Sequence, residues 1–521
     1  MIWLRDCRWG LGTGILLALA YPSFSLAPLA WIAFLPLLWG LYHARDNREA
    51  FWQSAAAGLT FFLSSCYWTA HVSFVGYLLL CIYLSLFFVP FGLAVRYFYL
   101  RRHSAILWGS LFWVGAEFLR GRLLSGFPWN TLASSQARFL EFIQMASVTG
   151  AYGVSFIIIM VNCVLFEVGL VLRGHALKYF RTLMVGALGL VASALIYGYL
   201  ELREADKMPS VGPLPIALAA IQPNVSQGQK WDPSFRSEIL SRLRQGTMEA
   251  AKSKPLLVVW PETSVPGEIR HDSRLKQFAE DLAKESGCNL LIGSQDSTDE
   301  LPRMYFNAAV LFDPHGQIIQ VYRKIHLVPF GEFLPLAKWF PFLRWFIPIP
   351  EDFSPGKEET VFQILGPTFR WREPDGTLRS EMELRRFGVV ICFEDIFSEP
   401  FRRYCSQRLS FMVNITNDAW FKKSGASVQH ANLAVFRAVE NRIPLLRATN
   451  TGYTCLIDPY GRIQADVGAK GNLFVPGVLV AQITPRTKKT IYSELGDFFA
   501  SACLILALVR TFMLIRERTR Q

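Results

Sequence analysis

The amino-acid sequence predicts a protein with two kinds of domain, an α-helical polytopic membrane domain and an α/β domain outside the cytoplasm. Hydrophobic residues make up 52% of the 521 residues and charged residues only 18%, whereas an ordinary globular domain has about 25% charged residues. Long apolar runs fill the first 205 residues and recur once near the carboxyl end. Between them, short strand-like runs alternate with helical patterns, as in sheets covered by helices.

Eight apolar runs are candidate membrane helices, because a bilayer core about 30 Å thick needs about 20 mostly apolar residues per helix. They lie at 9–24, 26–42, 51–70, 73–99, 104–119, 147–172, 180–200 and 496–515. The first run, which follows Arg5 and Arg8, also fits a cleavable secretory signal. We therefore expect a membrane domain of seven helices at 1–205, a second domain at 206–490, and an eighth helix with a short basic tail at 491–521.

The distribution of basic residues predicts the orientation. The chain carries a formal net charge of +12. Among the short segments that flank the apolar runs, Arg and Lys concentrate at the amino terminus, in the breaks after the second, fourth and sixth runs, and in the carboxyl-terminal tail. Because such residues mark the cytoplasmic ends of membrane helices, the segment 206–490 is expected on the opposite side. Basic residues that flank the membrane helices thus contribute to the positive net charge, and no nucleic-acid partner is expected.

The segment 206–490 has the pattern of a soluble α/β domain. Helical periodicity is present at 272–286 and 428–442, and the Pro- and Gly-containing turns at 313–316 and 458–461 predict two hairpins. Apolar runs typical of strands are at 216–222, 256–260, 289–293, 305–312, 317–323, 386–392, 410–416, 445–450, 453–458 and 475–483.

The sequence contains no pattern for a cofactor. Its nine cysteines include no C-x-x-C pair, which disfavours a zinc ribbon or a dithiol redox site. A P-loop, a G-x-G-x-x-G fingerprint and metal-ligand spacing are also missing from the sequence. We therefore expect neither a nucleotide nor a metal.

Three predicted strands end at residues that can do chemistry. Glu262 follows the run 256–260, Lys324 follows 317–323, and Cys392 ends the run 386–392. Binding and catalytic groups collect at the carboxyl ends of strands in α/β sheets. Taken singly, a Glu, Lys or Cys is more often a surface charge or a core residue. The hypothesis that these three are catalytic therefore depends on the position of all three at strand ends.

These three residue types suit nucleophilic acyl transfer. A cysteine attacks a carbonyl as a thiolate, so a base such as a glutamate must take its proton. The attack places negative charge on the carbonyl oxygen, which a fixed lysine cation stabilises. The resulting thioester is more reactive toward amines than an oxygen ester is, so the acyl donor and acceptor can bind in turn.

Several phrases resemble known signatures. Trp260-Pro261-Glu262-Thr263, Arg323-Lys324 with Pro329-Phe330-Gly331-Glu332, and Ile391-Cys392-Phe393-Glu394 are similar to the three signatures of the nitrilase, or carbon–nitrogen hydrolase, superfamily. Together with the membrane runs on both sides, they make the whole chain resemble the apolipoprotein N-acyltransferase family. Supporting phrases are 222–224, 230–233, 127–129, 414–421, 429–430 and 447–452.

The resemblance implies an αββα sandwich on a membrane base at the periplasmic side of a bacterial inner membrane. It also implies transfer of a fatty acyl chain from a phospholipid, typically phosphatidylethanolamine, to the α-amino group of a lipoprotein's diacylglyceryl-cysteine. Glu262 would be the general base, Lys324 the oxyanion stabiliser and Cys392 the nucleophile. The other residues that match family positions or are expected to support substrate binding are Glu332, Glu394, Trp231, Phe393, Asn307 and Trp129.

Two alternatives remain at this stage. A membrane-tethered amidase or nitrilase could use the same trio with water as the acceptor, and a catalytically silent scaffold could bind lipoproteins. Family members often have tyrosine where this chain has Phe393, and Lys422 replaces a familiar glycine. An aromatic stretch at 339–346 could enter the lipid beside the site. The protein is expected to be a monomer.

Overall fold

The computed structural model describes residues 2–207, 215–335, 352–372, 378–468, 472–485 and 489–519. Within these ranges the chain forms two compact units. The first contains the amino-terminal region to residue 207, residues 424–440 and the region from 490 onward, and the second contains the rest. The aromatic stretch at 339–346 lies outside the described residues.

The first unit is helical. The helix Asn47–Ser65 begins at a polar cap, because the side chain of Asp46 accepts a hydrogen bond from the main-chain N–H of Glu49. The helices of this unit up to residue 207 are α1 (Ile2–Ala20), α2 (Leu35–Tyr42), α3 (Asn47–Ser65), α4 (Phe74–Ser85), α5 (Val89–Leu100), α6 (Ile106–Arg120), α7 (Leu140–Ile143), α8 (Ala146–Thr149), α9 (Ala151–Leu172) and α10 (Phe180–Asp206).

Among the described residues, four helical segments are long and apolar enough to cross a membrane. They are Phe74–Leu100, Ala151–Leu172, Phe180–Asp206 and Phe498–Glu517. Cys7–Ala20 and Ala27–Tyr42 are apolar but shorter. The remaining predicted runs also coincide with helices. The total of eight membrane-spanning helices stays a prediction.

The second unit contains two six-stranded mixed sheets. The first has the strand order β12-β1-β2-β3-β4-β5 and the second β11-β10-β9-β8-β7-β6. The strands are β1 (Ile216–Gln222), β2 (Leu257–Val259), β3 (Asn289–Ser297), β4 (Tyr305–Phe312), β5 (Ile318–Arg323), β6 (Val361–Arg372), β7 (Leu378–Ile391), β8 (Phe411–Thr416), β9 (Leu445–Thr449), β10 (Cys455–Ile457), β11 (Ile463–Asp466) and β12 (Gly477–Ile483).

Alternation along the strands builds two cores. In β1, Leu218 and Ala220 pack in a core shared by both sheets, whereas Ala219 and Ile221 point to the opposite face. That face is covered by α12 (Arg236–Ala251) and α13 (Ser273–Ser286).

The other helices after α10 lie in both units. They are α11 (Gln227–Lys230), α14 (Ser398–Cys405), α15 (Ala426–Asn441), α16 (Ile491–Leu495) and α17 (Phe498–Thr519).

All ten predicted strands and both predicted hairpins are confirmed. Residues 313–316 connect antiparallel β4 and β5, and 458–461 connect antiparallel β10 and β11. Sequence analysis did not identify β6 and β11. Polar residues interrupt both, because β6 forms one edge of its sheet and β11 the other, and an edge strand needs fewer apolar residues.

Candidate active site

Parallel pairing brings the predicted strand ends to one edge of each sheet. β1, β2 and β3 run parallel in the first sheet, and β7, β8 and β9 run parallel in the second. Glu262 follows β2, and Cys392 follows β7 directly. Gly293 in β3 permits this path, because an added Cβ would lie 2.2 Å from the main-chain oxygen of Pro261.

Glu262 and Lys324 lie close together in a buried setting. Glu262 is 7% exposed and Lys324 is 1% exposed. The Lys324 Nζ lies 3.9 Å from Glu262 Oε1, and 2.9 and 2.8 Å from the two carboxylate oxygens of Glu332. Lys324 is therefore the cation between two carboxylates.

Asn307 links the two carboxylates. Its Nδ2 donates to Glu262 Oε1 at 2.7 Å and to Glu332 Oε1 at 2.9 Å. Because ionised carboxylates only accept hydrogen bonds, the amide nitrogen must face them. The main-chain oxygen of Asn307 also accepts from Lys324 N–H at 2.8 Å, so Asn307 contacts both Glu262 and Lys324.

The electrostatics favour a protonated Lys324. Burial alone would lower the pKa of Lys324, but the charges of Glu332 and Glu262 raise it above its ordinary value. Burial raises the pKa of Glu262, while the charge of Lys324 lowers it. The lysine is thus a permanent cation, and the glutamate is a stronger base than an exposed one.

Cys392 sits at a strained turn between β7 and a short 3-10 helix, Cys392–Ile396. Its φ is 52°, a left-handed conformation that is uncommon for a residue with a Cβ. The residue is partly exposed. Strain of this kind persists only where the surroundings hold the backbone, as functional sites often do.

The Cys392 thiol is neutral at rest. Burial raises its pKa well above the ordinary value, and the negative charge of Glu262 raises it further. Lys324 and the Thr416 hydroxyl act in the opposite direction. The thiol therefore needs a base to become a nucleophile, and the interaction with Glu262 identifies the nearby carboxylate that could serve.

The carboxylate of Glu394 connects, through hydrogen bonds, the loop that follows Lys324 to the turn at Cys392. It is 1% exposed, and one of its oxygens accepts from the N–H groups of Ile325 and His326 at 2.9 and 3.0 Å. The other accepts from Ile391 N–H at 2.7 Å, and the Tyr322 hydroxyl lies 2.9 Å from both. Burial raises the pKa of Glu394.

The remaining predicted residues fall into different places. Phe393 is buried and packs edge-on against Phe397, with ring centroids 5.1 Å apart. Trp231 is 47% exposed next to Lys230. Trp129 belongs to the other unit, where it is 1% exposed and donates from Nε1 to Gln429 Oε1 at 2.8 Å.

Sequence analysis missed Asn414, Tyr322 and Lys230 as site residues. Asn414, Thr416 and Asp418 alternate along and just beyond the otherwise apolar β8, a period of two that marks one polar face. That alternation was a usable signal. Lys230 begins the phrase 230–233 that supports the family resemblance, whereas nothing in the local sequence distinguishes Tyr322 from an ordinary strand residue.

The described residues contain no group of three or more His, Cys, Asp or Glu side chains arranged to hold a metal ion. Glu262, Lys324 and the Thr416 hydroxyl all interact with the Cys392 thiol. A base, a cation and a neutral nucleophile in this arrangement can form and cleave an acyl–sulfur bond.

Two family models match the chain. The carbon–nitrogen hydrolase model matches residues 217–492, which places the two-sheet unit in the class of nitrilase-like folds. The amino-terminal domain model of apolipoprotein N-acyltransferase matches residues 13–164.

Similar proteins match along nearly the whole chain. An apolipoprotein N-acyltransferase of Geobacter metallireducens is 36% identical, over 99% of this chain and 96% of the relative. One from Chlorobaculum tepidum is 29% identical, over 95% of each chain. A solved amidase of Nesterenkonia from the nitrilase superfamily covers 55% of this chain and 93% of its own, with 17% identity and a TM-score of 0.37. The chain belongs to the apolipoprotein N-acyltransferase family.

Proposed function

We propose that the chain transfers a fatty acyl chain from a membrane phospholipid, through a thioester on Cys392, to the α-amino group of the diacylglyceryl-cysteine of apolipoproteins. Membership of the N-acyltransferase family supports the overall reaction. The observation that carries the mechanism is the buried contact of 3.9 Å between Lys324 Nζ and Glu262 Oε1. Burial and the charge of Glu262 both raise the pKa of the Cys392 thiol, which supports Glu262 as its base.

In the first half-reaction, Glu262 takes the thiol proton and the sulfur attacks the ester carbonyl of the phospholipid. Lys324 stabilises the oxyanion of the tetrahedral intermediate. Collapse breaks the carbon–oxygen bond, and the proton on Glu262 passes to the leaving oxygen, so a lysophospholipid departs. Phosphatidylethanolamine is the donor that the family resemblance favours.

In the second half-reaction, the acceptor amine attacks the thioester carbonyl. The carbon–sulfur bond breaks, the thiol regains a proton, and an amide remains on the lipoprotein. Glu332 holds Lys324 by hydrogen bonds of 2.8 and 2.9 Å, and Glu394 holds the loop that carries it. Both are positioning residues in this mechanism.

The membrane arrangement is also a proposal. We place a membrane domain with seven spans at 1–205, the catalytic domain at 206–490 and the eighth span at 491–521. The catalytic domain faces the periplasm from a bacterial inner membrane, because the Arg and Lys residues in the short breaks between apolar runs concentrate at the opposite ends of the spans. The protein acts as a monomer on two lipid-borne substrates.

Mass spectrometry of the Cys392 peptide tests the mechanism. Purified enzyme incubated with phosphatidylethanolamine should carry one acyl group on this peptide, and hydroxylamine should remove it. Cys392→Ala and Cys392→Ser should carry none and should not acylate a diacylglyceryl lipopeptide. A matched control is Cys405→Ser, which alters a cysteine on α14.

The outcomes separate the alternatives. Full-rate acylation of lipopeptide by Cys392→Ala would overturn the thioester mechanism. Release of free fatty acid or ammonia from small amides, without lipopeptide acylation, would favour an amidase. Absence of any acyl adduct and of any turnover would favour a silent binding protein.

A further inference from the structure

Lys230 is a second buried cation beside the proposed reacting groups. It ends α11 and is 4% exposed. Its Nζ donates to the main-chain oxygen of Glu262 at 3.0 Å. In the part of the chain that the structure describes, no carboxylate oxygen lies within ion-pair distance of this Nζ. Lys230 therefore reaches the base without forming a salt bridge to it.

The two lysines of the site differ in their surroundings. Lys324 is held between Glu332 and Glu262 and stays charged. Burial lowers the pKa of Lys230 to about 8, although the charge of Glu262 acts in the opposite direction, as a Cys392 thiolate would. With a pKa of about 8, Lys230 is mostly protonated at pH 7, like the acceptor amine, but it has a neutral fraction that can take up a proton, which a permanently charged lysine lacks.

The chemistry of the second half-reaction needs such a group. The first half-reaction is proton-neutral, because the thiol proton leaves with the lysophospholipid. The acceptor, however, arrives largely as an α-ammonium ion, since an α-amino group has a pKa of about 7.7–8.0. Conversion of the ammonium ion and the thioester to amide and thiol releases one proton that Glu262, which only returns its proton to sulfur, does not absorb.

We propose that Lys230 accepts the proton that the α-ammonium group of the acceptor loses before it attacks the thioester. One hydrogen of its Nζ is held by the oxygen of Glu262, which leaves the lone pair of the neutral amine for this proton. The inference rests on the proposed function, because it concerns the acceptor step of that reaction.

The proton balance closes with two acceptors. Lys230 takes the first ammonium proton, and the nitrogen lone pair then forms the carbon–nitrogen bond. Glu262 takes the second proton from the tetrahedral intermediate and returns it to sulfur as the carbon–sulfur bond breaks. Lys230 then releases its proton to solvent, and the amide keeps the third hydrogen.

Single-turnover kinetics of the isolated acyl-enzyme test the inference in full-length protein. Wild type, Lys230→Arg and Lys230→Met are first acylated with phosphatidylethanolamine, and adduct formation shows that each variant is folded. The thioester is then cleaved by a diacylglyceryl lipopeptide or, in parallel, by hydroxylamine, which is already neutral near pH 7. Arginine keeps the charge and the donor to Glu262 but cannot accept a proton.

We expect Lys230→Arg, which keeps a cation and a donor beside Glu262, to form the adduct. Lys230→Met should form it more slowly, because loss of the Lys230 charge raises the pKa of Glu262. Both variants should then react with lipopeptide about 10- to 100-fold more slowly than wild type. Hydroxylamine cleavage should stay unchanged, and higher pH should restore the lipopeptide reaction. Wild-type lipopeptide rates in Lys230→Arg, equal slowing with hydroxylamine, or loss of adduct formation in Lys230→Arg would each overturn the inference. A wild-type thioester that lipopeptide does not cleave would instead overturn the proposed function.

Discussion

The side-chain amide of Asn414 donates a hydrogen bond of 3.1 Å to the main-chain oxygen of Cys392. Asn414 is fully buried on β8, one strand away from β7. The bond lies at the residue whose φ of 52° is unfavourable for a side chain with a Cβ. Asn414 thus stabilises the turn that presents the thiol.

Replacement of Asn414 by alanine should slow the first half-reaction. Without the amide donor, the strained turn can relax and move the sulfur out of line, which we expect to reduce the rate of adduct formation about 10- to 100-fold. Asn289→Ala is a matched control, because Asn289 also donates to a main-chain oxygen, that of Leu256, in the same unit. Equal rates in the two variants would contradict this role.

Replacement of Asn307 by alanine should move the acid limb of the pH–rate profile to higher pH. The hydrogen bond from Asn307 lowers the pKa of Glu262, so its loss raises that pKa, and a base must be deprotonated to act. The measurement is the rate of adduct formation against pH. The control is Gln295→Ala, the cross-strand neighbour of Asn307. An acid limb that stays in place or moves to lower pH would exclude the proposed coupling.

Replacement of Glu394 by glutamine should destabilise the catalytic unit more than Tyr322→Phe does. The glutamine NH₂ would face main-chain N–H donors and leave one unsatisfied, at a cost of about 1–3 kcal/mol in the free energy of unfolding. Tyr322→Phe removes one donor and should cost about 1 kcal/mol. Thermal unfolding in detergent compares the stabilities of the two variants. If Tyr322→Phe were the less stable of the two, the hydrogen bonds of Glu394 would not be the main link between the two segments.

Replacement of Gln429 by leucine should destabilise the helical unit. Gln429 Oε1 accepts from the indole N–H groups of Trp68 and Trp129 at 3.1 and 2.8 Å, and its Nε2 donates to Pro22 and Ser65 oxygens at 2.7 and 3.0 Å. Each buried group that loses such a partner costs about 1–3 kcal/mol.

The measurement for Gln429→Leu is again the thermal unfolding temperature in detergent. Asn432→Leu, on the same helix and partly exposed, is the control. A midpoint equal to that of the control would show that these hydrogen bonds do not anchor α15.

The tertiary structure separates two candidate residues that looked alike in the sequence. Trp129 and Trp231 were both expected to support substrate binding. Trp129 is buried in the helical unit and donates to Gln429, whereas Trp231 is half exposed beside Lys230. A tryptophan in a short motif suits a core or a binding surface equally well, because both use its large apolar ring.

The sequence by itself determined the two kinds of domain, most strands and the candidates Glu262, Lys324 and Cys392, because apolar period and strand-end position are local properties of the chain. Only the tertiary structure decided that Asn307 bridges Glu262 and Glu332, that Asn414 holds the Cys392 turn, and that the buried Lys230 donates to the main-chain oxygen of Glu262. These relationships join residues from 22 to 45 positions apart. Hydrogen bonds and desolvation act through space, so only packing of the strands and loops could reveal them.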